Sequence, residues 1–274
     1  MNRPLALALA GVSIAACATS PTGRKQLILL PDDQMAALGA QAFDQMKTEE
    51  PVSNNPAANA YVQCISNAIL DASGLSSGQA WEIVVFDSEQ VNAFALPGAK
   101  IGVYTGMIRF AENQDQLAAV IGHEVGHVIA RHSNERVSEQ QAAALAQGGF
   151  ALVLEGFQTD PNTRNAIMAG LGIGHQFGRA LPHSRTQETE ADVIGLDLMA
   201  QAGFRPSAAP ALWDLMAARG ESPPEFMSTH PSPDRRAREL RERLASVEAK
   251  YEAAQAAGRR PACSRPAFAA PAAP

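Results

Sequence analysis

Apolar residues recur at helical spacing along most of the chain and alternate with polar ones only in one short region. Asp32 and Asp33 are expected to cap a helix over 32–47, and a second helix over 57–72 ends at Ser73-Gly74. Three strand-like runs follow at 81–86, 91–96 and 101–104, separated by turn residues that include Pro97-Gly98. From Gln114 onward the pattern is helical with breaks. It predicts a long helix over 115–147, helices over 186–202 and 206–219, and a charged helix over 233–256. Between them, 148–178 is rich in Ala and Gly and interrupted near Thr159-Asp160-Pro161. The apolar stretch 142–173 reads as close helix packing, with a flap over a cleft or a membrane-contacting element as the other readings. From Ala257 the composition turns to Ala, Pro and Arg, and a disordered tail over 257–274 is expected. A small sheet among many helices predicts an α+β domain over 32–256.

Composition narrows the class. The 274 residues carry 22 Lys+Arg against 28 Asp+Glu, a net charge of −6 spread along the chain, which argues against a nucleic-acid surface. Hydrophobic residues make up 46%, enough to fill a core. Beyond the N-terminus no apolar run reaches the roughly 18 residues of a spanning helix, which excludes a multi-pass membrane protein.

The start reads as an address. One positive charge at Arg3 precedes an apolar run from Leu5 to Ala16, the form of a secretory signal over 1–16. Ile14-Ala15-Ala16-Cys17 resembles a bacterial lipobox, so Cys17 is the expected lipidation site and 17–31 a tether docking briefly on the body. Ala18, rather than the Asp that in such lipoproteins commonly signals inner-membrane retention, points by resemblance to the outer membrane, facing the periplasm. With Cys17 assigned to lipid, Cys64 and Cys263 remain. In an oxidising compartment they would pair; alternatively Cys64 is a small core residue in the pattern Tyr61, Cys64, Ile65, Ala68.

The chemistry concentrates in Gly122-His123-Glu124-Val125-Gly126-His127. On a helix, His123 and His127 lie one turn apart on one face, where both can reach one ion. Glu124 lies too far round to join them as a ligand, yet can reach a water on the metal and take its proton. That is the geometry of H-E-x-x-H hydrolysis. A third ligand is required. The positions after His127 that would extend the motif hold Ala130 and Ser133, so a carboxylate from a later helix is expected. Ser184-Arg185-Thr186-Gln187-Glu188-Thr189-Glu190-Ala191-Asp192 offers three. Glu188 and Asp192 share a face, which favours Glu188 as ligand and Asp192 as the carboxylate orienting a ligand imidazole, with Glu190 pointing elsewhere. His132, His175 and His183 are read as non-ligands, the last two as loop histidines without a partner.

These segments, with Thr229-His230-Pro231-Ser232-Pro233-Asp234-Arg235-Arg236, resemble the gluzincin zinc metallopeptidases related to HtpX and the CaaX prenyl proteases, in particular the periplasmic lipoprotein branch with BepA and LoiP. The likeness covers about 32–245. It implies a zincin-like α+β fold with the sheet beside the active-site helix, and one Zn²⁺ per chain held by His123, His127 and Glu188. It also implies a substrate-pairing edge strand at Asn92, Ala93 and Phe94, and Arg236 close to the ligand carboxylate. By the same resemblance His230 lies at the active site, either donating to the developing oxyanion or filling the fourth metal position at rest.

The function expected is a zinc endopeptidase acting on misfolded or misassembled cell-envelope proteins, with Glu124 activating the water. The alternative is a periplasmic assembly or chaperone-like lipoprotein with a latched zinc site. A hydrolase of a non-peptide amide, such as a cell-wall bond, is a third reading that the edge strand argues against. The partners implied are unfolded protein substrates, the membrane through the lipid, and outer-membrane assembly machinery, with no nucleic acid.

Overall fold

The computed structural model describes residues 17–146, 167–171, 183–218 and 226–268. The signal segment 1–16, most of the apolar stretch 142–173, and His175 lie outside the described residues. A hairpin of β1 (Cys17–Thr19) and β2 (Lys25–Leu27) opens the chain. It leads into α1 (Asp32–Glu49) and α2 (Pro56–Ser73). Asn55 caps α2 by accepting from the Ala57 and Ala58 N–H groups, and Gly74 closes it in the left-handed region. At α1 the expected cap moves by one residue: Pro31 holds the cap position, and Asp32 and Asp33 sit in the first turn, where their charge complements the helix dipole.

The sheet comprises β3 (Glu82–Phe86), β4 (Ala93–Leu96) and β5 (Lys100–Tyr104) in the order β3-β5-β4, with β3 parallel and β4 antiparallel to β5. Then come α3 (Thr105–Phe110) and α4 (Gln114–Ile129), whose cap Asn113 accepts from Gln116 N–H. The single helix expected over 115–147 is in fact two. The chain turns at Ala130 and at Arg131, which has φ 58°, and α5 (His132–Ala146) sets off in a new direction. No Gly or Pro marks this break. Gln26 Nε2 donates to the Ala130 carbonyl at 2.6 Å and satisfies the end of α4 from outside.

Ser184 and Gln187 form a capping box that starts α6 (Arg185–Ala202), which ends at Gly203 with φ 87°. After it come α7 (Ala208–Ala217), the single turn α8 (Phe226–Thr229) and α9 (Pro233–Ala256). Among the described residues no helix is long and apolar enough to cross a membrane.

Two hydrophobic clusters hold these elements. The larger joins α2, the sheet, α4, α6, α7 and α9; the smaller packs α1 on Phe86, Phe94 and Tyr104. Between α4 and α6 the backbones nearly touch. A Cβ on Gly126 would stand 2.8 Å from the Ala191 carbonyl oxygen, and one on Gly195 would stand 2.8 Å from the His123 nitrogen. That approach brings the carboxylates of α6 to the histidines of α4.

The tail differs from expectation. Residues 257–268 are placed against the body because Cys263 is disulfide-bonded to Cys64 on α2, with 5.7 Å between their Cα atoms. Gln114 braces the bridge, donating to the Pro261 carbonyl and accepting from the Cys263 N–H, both at 2.8 Å. Closing so long a loop should stabilise the fold by about 2–5 kcal/mol. Cys263→Ser should therefore lower the urea unfolding free energy by that amount. Gly195→Ala should cost about 1–3 kcal/mol by overpacking and should also weaken metal binding in a chelator competition, because it pushes α6 off α4.

Candidate metal centre and active site

His123, Glu124 and His127 occupy the last two turns of α4, all buried. Glu188 reaches them from the first turn of α6, and His230 from the end of α8. Four donor atoms converge. His123 Nε2 is 2.9 Å from His127 Nε2 and 3.1 Å from His230 Nδ1. Glu188 Oε1 is 3.0 Å from His230 Nδ1 and 3.5 Å from His127 Nε2, and Glu188 Oε2 is 3.6 Å from His123 Nε2. A tetrahedron of ligands about 2.0–2.1 Å from a zinc ion has edges of about 3.3 Å. The donors present fit such an ion in spacing and in chemistry: three imidazoles and one carboxylate, the set a borderline divalent metal prefers over Mg²⁺ or Ca²⁺.

The electrostatics favour the same state. Burial, with the Arg236 charge beside it, holds the His123 imidazole well below the usual histidine range, and burial with the neighbouring His123 does the same for His127. Both rings are therefore neutral and free to ligate. Burial alone would raise the Glu188 carboxyl, but Arg236 and then His230 pull it well below the usual carboxylate range, so it is ionised. Arg236, itself fully buried on α9, hydrogen-bonds Glu188 through Nη1 and Asp192 through Nε at 2.7 Å and through Nη2. Its guanidinium lies 3.5 Å over the Trp213 ring. Asp192 Oδ1 is also 3.1 Å from His123 Nδ1, where it can fix the ring.

Glu124 differs from Glu188 in that no Arg or Lys hydrogen-bonds it among the described residues. Burial raises its carboxyl to about 7, against smaller opposing pulls from His230, Arg236 and the nearby Ala95 N–H. His230 Nε2 lies 3.3 Å from Glu124 Oε1. A carboxylate poised near neutrality beside the four donors suits proton transfer.

The edge strand is β4, although its residues divide differently from expectation. Tyr104 N–H bonds the Asn92 carbonyl, so Asn92, Phe94 and Leu96 hold the inner ladder with β5. Ala93 and Ala95 therefore turn their backbone groups outward. The Phe94 side chain packs in the aromatic cluster, 6.0 Å from Phe43 between ring centres, and so is a core residue, while Asn92 Oδ1 accepts from the Ala93 N–H at 3.0 Å. The cavity between β4, Glu124, His127 and His230 is also lined by Ser133, Leu171, His183 and Thr229 and measures about 10 Å³, room for one water. Leu171, on a buried helical turn at 167–171, thus helps close the site.

Two histidines have more to do than their sequence positions suggested. His183 is buried, and its ring lies against that of His127, 3.9 Å between centres, and 5.1 Å from His230. It is therefore part of the site wall and not a loop residue without a partner. His132 is fully buried, with Nδ1 2.7 Å from His127 Nδ1 and Nε2 3.1 Å from Glu190 Oε2. His132 is brought back under His127 by the α4–α5 turn, which has no local signature, and His183 by a contact with Thr229 far along the chain. A buried His five residues after a ligand was the one available signal.

Residues 56–244 match the family model Peptidase family M48. The chain is 37% identical over 195 residues to the mitochondrial metalloendopeptidase OMA1 of Schizosaccharomyces pombe, covering 70% of this chain and 55% of that protein. It is 40% identical over 164 residues to OMA1 of Arabidopsis thaliana, covering 60% of this chain and 31% of the relative. It is 30% identical over 215 residues to the beta-barrel assembly-enhancing protease of Yersinia pestis, covering 77% and 44% respectively. The chain thus spans about half or less of the length of these curated relatives. With the HExxH helix and the α6 carboxylate inside the matched region, the chain belongs to peptidase family M48.

Proposed function

We propose that this protein is a zinc-dependent endopeptidase of the cell envelope. The observation that carries the reading is the convergence of His123, His127, Glu188 and His230 at the spacing of a tetrahedral ion, with Glu124 beside them. A zinc ion bound there would polarise the scissile carbonyl and acidify a water. His123, His127 and Glu188 would hold it. Glu124 takes the proton of the attacking water and passes it to the leaving amine. The outward groups of Ala93 and Ala95 offer an extended peptide a strand to pair with. His230 Nδ1 stands among the ligand atoms at rest and would have to move for substrate to enter; Pro231 and the left-handed Ser232, φ 70°, form the joint behind it.

The substrate class we assign is misfolded or misassembled envelope protein. The supporting points are backbone recognition by β4, which is indifferent to sequence, and the relative's name, beta-barrel assembly-enhancing protease. The lipobox-like Ile14-Ala15-Ala16-Cys17 supports anchoring at Cys17 in the periplasm, at the outer membrane, close to its assembly machinery. A second reading, an assembly lipoprotein with a latched centre, draws on the 10 Å³ cavity, which admits no peptide while His230 stays in place.

Metal content and casein cleavage, measured on the full chain in detergent, test both readings. Glu124→Gln should keep one zinc per chain while cleavage falls by about 10²–10⁴-fold; undiminished turnover would remove Glu124 from the mechanism. His230→Ala should bind zinc less tightly and cleave casein faster, because the fourth corner is then open to water. Slower cleavage in this variant would instead make His230 a donor to the substrate oxyanion. Wild-type protein with zinc but no cleavage, and no gain in His230→Ala, would favour the assembly reading.

A further inference from the structure

The segment that follows Cys17 is bound to the back of the centre by a continuous set of polar contacts. Thr22 Oγ1 donates to Glu190 Oε1 at 2.5 Å, and Arg24 Nε donates to Glu190 Oε2 at 3.0 Å. The other two Arg24 nitrogens grip Glu135 on α5 at 2.5 and 2.6 Å, and Gln187 Nε2 on α6 donates to the same carboxylate at 2.8 Å. Gln26 Nε2 bonds the Ala130 carbonyl at the end of α4. Further along, Leu29 N–H donates to Ser138 Oγ, and Asn134 Nδ2 donates to the Leu30 carbonyl, both at 2.9 Å. Instead of a tether that touches the body briefly, residues 20–30 form a strap knitting the ends of α4, α5 and α6 together.

The strap ends on a metal ligand. If His127 is to ligate through Nε2, its proton sits on Nδ1, and Nδ1 donates to His132 Nδ1 at 2.7 Å. His132 must then carry its own proton on Nε2, which donates to Glu190 Oε2 at 3.1 Å. The three bonds run in one direction, from ligand to imidazole to carboxylate, and the carboxylate is held by Arg24 and Thr22. Each step fixes the tautomer and ring plane of the one before it. Glu190, off the face that Glu188 and Asp192 share, is 4% exposed and closes this chain.

We infer that Glu190 and Arg24, acting through His132, are positioning residues for His127, so that the segment after Cys17 sets how tightly the centre holds its metal. The inference rests on reading the centre as a metal site. It makes the strap more than an anchor: displacing residues 20–26 frees Glu190 and with it the ring of a metal ligand.

The test is zinc affinity by chelator competition, on the full chain in detergent, together with the visible absorption of the Co²⁺-substituted protein. Glu190→Gln and Arg24→Ala should each raise the zinc dissociation constant by about 10–100-fold and alter the Co²⁺ spectrum. Lys25→Ala, whose ammonium only bonds Thr19 on the neighbouring strand, should leave both unchanged. Metal-free Arg24→Ala should keep the wild-type circular dichroism and a single cooperative unfolding transition at the assay temperature, though at a lower midpoint, which separates positioning from unfolding. Adding Arg24→Ala to His132→Gln should produce little further loss, since both act through one ring. If Glu190→Gln fails to fold, Arg24→Ala and His132→Gln decide. Unchanged zinc affinity in folded variants, or an equal loss in Lys25→Ala, overturns the inference while the metal reading stands. A wild-type chain that binds no zinc overturns the metal reading itself.

Discussion

The centre depends on one compensation of charge. Glu188 and Arg236 are both fully buried and Asp192 nearly so, in a place with no water to spare. Each such ion costs several kcal/mol to desolvate, which only close partners can offset. Arg236 touches both carboxylates, through Nη1 on Glu188 and through Nε and Nη2 on Asp192. Without it two anions would face each other and the imidazoles in a low-dielectric pocket, and the Glu188 carboxyl would take up a proton. The geometry that makes this tight cluster feasible is the glycine contact of α4 with α6, where Gly122, Gly126 and Gly195 let the helices approach at backbone distance. Because Arg236 lies in the first turn of α9, the same contact fixes the start of that helix. His230, six residues earlier, is thereby carried over the metal position.

What the sequence made legible follows from how local each signal is. Asn55, Gly74, the Ser184–Gln187 box and Gly203 act within a turn of themselves, and the helices they bound lie close to the spans expected. The pairing of His123 with His127, and the choice of Glu188 over Glu190, are also local, since helix periodicity alone puts them on their faces. The break at Arg131 is different. Its reason lies in the Gln26 side chain, more than a hundred residues away, and in a turn that returns His132 to His127. The strap escaped notice for the same reason, since Thr22, Arg24 and Gln26 sit in a short polar stretch whose partners all come from α4, α5 and α6. The ordered tail needed both the disulfide and the Gln114 carboxamide, and alanine- and proline-rich composition says nothing of either. Phe94 does lie on the edge strand, but which of its groups face outward depends on the register with β5, which only the fold reveals.

The two glutamates of the centre show how one environment can yield two functions. Both are buried, yet Glu188 is ionised and Glu124 is poised near neutrality, at about 7. The difference is the guanidinium: Arg236 bonds Glu188 directly, while Glu124 faces β4 beside the His230 ring and takes a weaker pull from Arg236. A ligand carboxylate has to stay charged, whereas a base must be able both to accept and to give up its proton. Placing the cation on one side of α4 meets both demands with the same residue type.

That placement also links substrate pairing to the base. The Ala95 N–H turns away from β5 toward the outer edge of the sheet, on the side where it lowers the Glu124 carboxyl slightly. A peptide adding to that edge would meet the same Ala93 and Ala95 groups. On the proposed opening, a peptide oxygen that takes the Ala95 N–H would draw that group away from Glu124, and displacement of His230 would remove the imidazole 3.3 Å away. Both changes withdraw stabilisation from the carboxylate and make it a stronger base at the moment substrate is in place. On this argument the closed cavity and the poised base are two consequences of one arrangement, in which the edge strand and His230 occupy Glu124 until a peptide strand takes their place.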